Sequence, residues 1–281
     1  MVKDYLILTK PGIIAGNLIT AIGGFFLVHQ ITFDKSLFLG MILGLSGIIG
    51  SGCVFNNYMD RSIDEKMKRT KTRSLVSGTI SSKNAFIYGC ILFLISSFIL
   101  LKFTNLYSFI FAVVGFIIYV GIYTPLKKTS AHATLIGSIA GAMPPVVGYT
   151  AKTGYVDFPS LVLFLIVAFW QMPHFYSIGL YRMEEYEEAK IPILPIVEGV
   201  KKTKQQIFFY TVLFFLMSLL PFFLNLTSKI YFLIILLLGF FWIVLAWQGF
   251  SEKNFQSWAK KMFRFSLVII LIQNILLCYK P

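Results

Sequence analysis

Asn56, Asp60 and Asp64 recur at intervals of four in the stretch Asn56-Asn57-Tyr58-Met59-Asp60-Arg61-Ser62-Ile63-Asp64. On a helix this spacing places one amide and two carboxylates on a single face, drifting about 40° per step. Hard oxygen ligands of this kind suit Mg²⁺, which binds through one or two carboxylates plus the phosphate oxygens of a substrate. Two carboxylates at i,i+4 repel each other on a bare helix, and a metal would offset that repulsion. The competing reading is a solvated helix end carrying stray acids.

Cations follow at once, in Lys66-Met67-Lys68-Arg69-Thr70-Lys71-Thr72-Arg73. Such a run is most often a membrane-surface anchor. Beside a Mg²⁺ site, Lys68, Arg69 and Arg73, with Arg61, would also hold the outer oxygens of a diphosphate. Lys127 and Lys128, after Tyr123-Thr124-Pro125, and Arg182 could approach the same site. The chain has only 12 acids, and seven lie in two short stretches: Asp60, Asp64 and Glu65, then Glu184, Glu185, Glu187 and Glu188. The two stretches could face each other across a cavity.

A third feature is Trp170-Gln171-Met172-Pro173-His174, inside an apolar run. Ionisable groups within membrane helices face the interior and are functional candidates by default. His174 could ligate a metal in a substrate, act as an acid or base, or simply bond a neighbouring helix. His132 reads as a surface residue in a loop, and His29 as lying at the other face. Asn17, Gln273 and Asn274 read as interhelix hydrogen-bonding groups.

The elements that must position these residues follow from composition. The 281 residues are 57% hydrophobic, 17% aromatic and 13% charged, against about a quarter charged in soluble domains. That excludes a disordered chain, a nucleic-acid-binding module and an ordinary soluble enzyme, and indicates an all-α polytopic membrane protein in the lipid bilayer. Nine runs are long enough to span, at 12–29, 37–55, 84–101, 106–123, 133–149, 158–180, 207–224, 230–250 and 263–279. The fifth is short, Gly-rich and interrupted by Pro144-Pro145, as expected of a kink packed between helices. Of the 25 Lys and Arg, 20 fall at the N-terminus and the even-numbered connections and 5 on the opposite side. The positive-inside rule then sets the N-terminus in the cytoplasm and the C-terminus across the membrane. The +13 net charge thus reads as topology, not as nucleic-acid binding. Cys53, Cys90 and Cys278 form no CxxC pair and read as core residues. The N-terminus lacks a cleavable-signal pattern, and residues 1–281 read as one integral-membrane domain.

The motif Asn56-Asn57-x-x-Asp60-x-x-x-Asp64 resembles the first aspartate-rich motif of the UbiA-type intramembrane prenyltransferases. Four ordered blocks narrow the likeness to the heme-modifying members of that family. They are 56–64 with Met67-Lys68-Arg69-Thr70, Gly137 to Gly148, Trp170 to His174, and Ile191-Pro192-Ile193-Leu194-Pro195. The resemblance covers residues 8–200, and the last three runs match in hydropathy alone. It implies a nine-helix bundle with a central cavity opening toward the cytoplasmic side of a bacterial inner membrane. It implies Mg²⁺-dependent transfer of farnesyl from farnesyl diphosphate to a vinyl group of heme b, with addition of water. By position, Asn56, Asp60 and Asp64 would bind Mg²⁺–diphosphate, with Asn57 beside them and Glu185 as the acid of a second motif. Lys127 and Tyr123 match a diphosphate-contact region, and Trp170, Gln171 and His174 belong to the heme-specific block. Heme A synthase and a terminal oxidase are the candidate protein partners.

The sequence also departs from the family. Tyr181 stands where the second motif usually has its first aspartate, Ser62 where heme-modifying members often carry Asp, and Ser74 where Pro is common. Two other functions compete. One keeps the fold and takes an aromatic quinone precursor as acceptor, against which the Trp170–His174 block argues. The other is a transporter, which would place charged groups mid-span, where this sequence has none.

Overall fold

A computed structural model of the chain describes residues 2–28, 33–67 and 69–279; His29, Lys68 and Lys280 lie outside the described residues. The elements run α1 (Val2–Leu8), α2 (Pro11–Leu27), α3 (Lys35–Asp64), α4 (Ser82–Phe103) and α5 (Leu106–Ile117). A π-helical turn (Ile118–Tyr123) leads into α6 (Thr124–Leu126), α7 (Ala133–Gly141) and α8 (Met143–Thr153). Then come α9 (Phe158–Tyr181), α10 (Met183–Glu188), α11 (Leu194–Val197), α12 (Gly199–Phe223), α13 (Lys229–Gln248) and α14 (Phe255–Leu277).

Among the described residues, six helices are each long and apolar enough to cross a membrane: α3, α4, α5 through α6, α9, α12 and α13. A seventh is added if α1 and α2, bent by 51° at a short break, count as one span. The bend falls at Thr9-Lys10, where Lys10 adopts a left-handed conformation before Pro11. A proline at the first helical position costs no hydrogen bond, because that N–H is unpaired anyway. Asp34, Ser81, Asn105, Asp157 and Ser228 cap the starts of α3, α4, α5, α9 and α13 through their side chains. Each satisfies an amide that hydrocarbon would otherwise leave unpaired.

The helices close into a ring. Packing runs from α2 to α3, α4, α5, α8, α9, α12, α13 and α14, and α14 returns to α2. The fifth apolar run divides at Ala142 into α7 and α8, and Pro144 and Pro145 are buried at the start of α8. Small residues let this broken segment approach its neighbours. A Cβ on Gly24 would lie 2.1 Å from the Pro145 carbonyl oxygen, and one on Gly148 would lie 1.9 Å from that of Ala21. In lipid no solvent drives helices together, so such backbone contact supplies much of the association.

Asn274 sits in the notch at Gly23, where a Cβ would meet its Oδ1, while its Nδ2 bonds the Ile270 carbonyl one turn back. Asn17 likewise bonds within its own helix, to Ile13. Only Gln273 makes the interhelix bond the sequence suggests, to the Tyr231 hydroxyl at 3.1 Å. Asn17 and Asn274 instead donate to the carbonyl one turn back, which the helix's own geometry places within reach.

Candidate active site

Helix α3 spans 30 residues, about 45 Å at 1.5 Å per residue, against about 30 Å of hydrocarbon. Its last turns therefore project beyond the apolar layer, and they carry Asn56, Asp60 and Asp64 on one side, as the four-residue spacing predicts. All three are buried. Asn56 and Asp60 stand at the polar end of a central cavity of about 1110 Å³, with Asp64 one turn further along the helix.

Each of the three side chains has a partner from outside α3. Asn56 Oδ1 accepts from Lys10 Nζ at 2.7 Å, and its Nδ2 donates to Thr124 Oγ1 at 3.0 Å. Thr124 Oγ1 in turn donates to the Tyr119 carbonyl inside the π-helical turn. Asp60 Oδ2 is paired with Lys127 Nζ. Asp60 Oδ1 is buried with no hydrogen-bond partner. Asp64 Oδ2 accepts from Arg73 Nη1 at 2.6 Å, and its carbonyl accepts from Thr70 Oγ1 at 3.0 Å. Two contacts thus fold the 69–73 loop back over the end of α3, with Leu75 and Ile80 anchored in the cluster around Leu8 and Val54.

Lys10, Arg69, Arg73 and Lys127 line the cavity, and Asp60 is the one carboxylate among its described wall residues. Four cations against one anion define a site for an anionic group. Tyr119 and Tyr123 stack at 5.6 Å, and the Lys127 ammonium lies 5.6 Å from the Tyr123 ring centroid. The π-helical turn advances these rings relative to an α-helical register, a device common at functional sites. Gly137 makes room, since a Cβ there would press on the Tyr123 ring at 2.8 Å.

Beyond the charged end the wall is apolar, with Leu45, Ile48, Phe116, Met143, Val167 and Ile270. Trp170, Gln171 and His174 form one side. Gln171 Nε2 donates to the Ser138 carbonyl at 3.0 Å and occupies the space left by Gly141. Trp170 stacks on His174 at 4.7 Å and 28°, and its Nε1 donates to the Ser266 carbonyl at 2.8 Å. His174 Nδ1 lies 2.7 Å from Ser266 Oγ. All four sequence blocks contribute wall residues, the last through Ile191 to Pro195.

Other residues singled out by sequence stand elsewhere. Asn57 is buried but donates to the Leu8 carbonyl, tying α1 to α3. Arg61 is exposed, bonding Ser82 and pairing with Glu65. Lys128 donates to the Met59 carbonyl. Arg182 pairs with Glu185 at 3.6 Å and bonds the Tyr181 hydroxyl. None of these, nor Asp64, is among the cavity's wall residues, and Lys68 lies outside the described residues. Among the described residues no three His, Cys, Asp or Glu side chains converge as a metal cluster.

The second acidic stretch does meet the first, through apolar contacts. Ile63 and Met67 pack against Tyr186, Ala189, Ile191 and Ile193. Tyr186, not its neighbouring glutamates, reaches the cavity. Desolvation there lifts its phenol above the usual range, so it faces the site uncharged. His132 is exposed, 3.4 Å from Glu198. Lys10, Tyr119, Tyr186 and Ser266 are the site groups that sequence reasoning missed. The Lys10-Pro11-Gly12 break was the one available signal, and it marks Lys10 alone.

Among the described residues, a ring of helices, six of them each long and apolar enough to cross a membrane, around a cavity with a cationic, carboxylate-bearing end and an apolar tract has the architecture of an intramembrane enzyme. Residues 17–268 match the UbiA prenyltransferase family, and the chain belongs to it. It is 45% identical to a protein named protoheme IX farnesyltransferase from Protochlamydia amoebophila, over 98% of this chain and 97% of that protein. A protein of the same name from Acinetobacter baylyi is 44% identical over 98% and 94%. Among solved structures, a digeranylgeranylglyceryl phosphate synthase superposes with a TM-score of 0.83 at 22% identity, covering 99% of this chain and 98% of that one. A UbiA homolog from Archaeoglobus fulgidus bound to DMAPP and Mg²⁺ gives 0.75 at 15% identity, covering 95% and 99%.

Proposed function

We propose that this chain transfers the farnesyl group of farnesyl diphosphate to a vinyl group of heme b, with addition of water, giving heme O and diphosphate. One observation carries the reading: a single cavity joins the cationic end at Asp60 to the Trp170–His174 wall through an apolar tract. The near-full-length relatives named protoheme IX farnesyltransferase support the acceptor.

The residues present fit a hard divalent cation. Asp60 Oδ1 is a buried carboxylate oxygen left without a hydrogen-bond partner, and a neighbouring structure of the same fold holds Mg²⁺. Asp60, Asp64 and Asn56 would hold Mg²⁺, with Glu185 as the acid at the second-motif position. When bound, the ion supplies positive charge against the departing diphosphate.

The chain's own groups do the rest. Lys10, Arg69, Arg73 and Lys127 hold diphosphate oxygens by charge-assisted hydrogen bonds, which strengthen as charge builds on the leaving group. The apolar walls hold the farnesyl chain extended and keep bulk water from the allylic carbon. The faces of Tyr119 and Tyr123 stabilise positive charge developing beside Lys127. Trp170, Gln171 and His174 orient the acceptor.

The finer topology belongs to the same proposal. It comprises one domain over residues 1–281, nine spanning helices in a bacterial inner membrane and a cavity opening to the cytoplasm. The N-terminus is cytoplasmic and the C-terminus lies across the membrane. The 20-to-5 split of Lys and Arg supports that orientation. A heme A synthase or a terminal oxidase would receive the product.

Membranes carrying the protein, supplied with farnesyl diphosphate, Mg²⁺ and heme b, should yield heme O by mass spectrometry. Product with a hydroxybenzoate and none with heme would overturn the choice of acceptor.

A further inference from the structure

Ser266 on α14 holds two members of the Trp170–His174 block at once. Its carbonyl accepts from Trp170 Nε1, and its hydroxyl lies 2.7 Å from His174 Nδ1. That hydroxyl has a second partner, the Phe263 carbonyl, at 2.6 Å. A serine hydroxyl carries one proton and a carbonyl can only accept. The proton therefore goes to Phe263, and Ser266 Oγ must accept from His174. Nδ1 is then the protonated nitrogen, and Nε2 carries the lone pair.

Nε2 has no hydrogen-bond partner among the described residues, nor is it one of the sealed polar atoms. His174 is a wall residue of the cavity. The ring is fixed on several sides, stacked on Trp170 at 4.7 Å and flanked by Phe175 at 5.1 Å and Phe263 at 5.0 Å. A histidine whose Nδ1–H is donated to a fixed acceptor, with its other nitrogen bare beside a cavity, has the arrangement of metal-ligating histidines.

We infer that Ser266 is a positioning residue that holds His174 as the Nδ1–H tautomer, offering Nε2 as an axial ligand to the iron of the porphyrin substrate. This rests on the heme-farnesylating reading. The iron is the acceptor's own, so the ligand fixes the porphyrin at its centre and sets how far its edge lies from the charged end. A water-directing His174 would not need the iron.

The test compares two probes on purified full-length protein: heme b, and metal-free protoporphyrin IX, which has the same shape and no iron. Heme b should give an imidazole-ligated Soret spectrum that His174→Ala removes and added imidazole restores. Ser266→Ala should weaken heme b binding by about 10–100-fold, the usual cost of losing the partner of a metal-bound histidine. Affinity for metal-free protoporphyrin should be unchanged in Ser266→Ala, which a merely structural role would not allow. An unaltered heme spectrum in His174→Ala, with heme O still formed by the parent protein, overturns the ligation and leaves the function standing. Ligation lost in His174→Ala but untouched in Ser266→Ala overturns the role of Ser266. No heme binding and no heme O from the parent protein overturns both.

Discussion

Arg73 Nη1 lies 2.6 Å from Asp64 Oδ2, and through this bond a loop cation reaches back nine positions to close over the end of α3. Asp64 is buried and Arg73 is one-quarter exposed. Removing the guanidinium leaves a buried carboxylate unpaired. Arg73→Ala should therefore cost about 3 kcal/mol, the lower end for breaking a buried pair, read as a lower unfolding temperature in detergent. Its KM for farnesyl diphosphate should rise as well.

The unpaired Oδ1 of Asp60 makes that carboxylate a sensitive point of the site. Asp60→Ala should lower kcat by at least about 10²-fold, the scale of removing one electrostatic group from an active site, while membrane insertion is unaffected. Asp64→Ala should abolish turnover in the same assay. Near-normal activity in either variant would remove the metal-site assignment.

Divalent metal should be required. Chelation with EDTA should abolish farnesyl transfer, and Mg²⁺ should restore it better than Ca²⁺. Few protein ligands at near-octahedral geometry favour the smaller ion, whereas Ca²⁺ prefers six to eight oxygens. Full activity in excess chelator would count against the Asn56–Asp60–Asp64 reading.

Lys10 gives a sharper separation of binding from chemistry. Its ammonium bonds Asn56 across 46 residues and lines the charged end of the cavity. Lys10→Ala should raise KM for farnesyl diphosphate about tenfold, consistent with losing one charge-assisted hydrogen bond of about 1.5 kcal/mol. Affinity for the porphyrin should not change, as measured by the Soret titration.

The helix crossing that shapes the cavity is tested at Gly24. A methyl group there would fall 2.1 Å from the Pro145 carbonyl oxygen, which belongs to backbone and cannot swing aside. Gly24→Ala should spread α2 from α8 and cost about 1–3 kcal/mol, the range for overpacking. The check is thermal unfolding in detergent.

Much of this protein was legible along the chain. Hydropathy marks the apolar runs because each must carry a helix through about 30 Å of hydrocarbon. The four-residue recurrence from Asn56 to Asp64 places its groups on one face because both the motif and the helix are local. What the chain could not show is which faces meet. Lipid-exposed and buried faces are both apolar, so no polar–apolar alternation reports the packing. For the same reason Arg61, Lys128 and Arg182 read as equal to Arg73 and Lys127 in sequence, yet they stand outside the cavity wall. The sequence by itself determined that oxygen ligands and cations gather at one end of a membrane bundle. Only tertiary packing, through close small-residue crossings and the closing of α14 onto α9, decided that Lys10 bonds Asn56 and that Ser266 accepts from His174 across 92 residues.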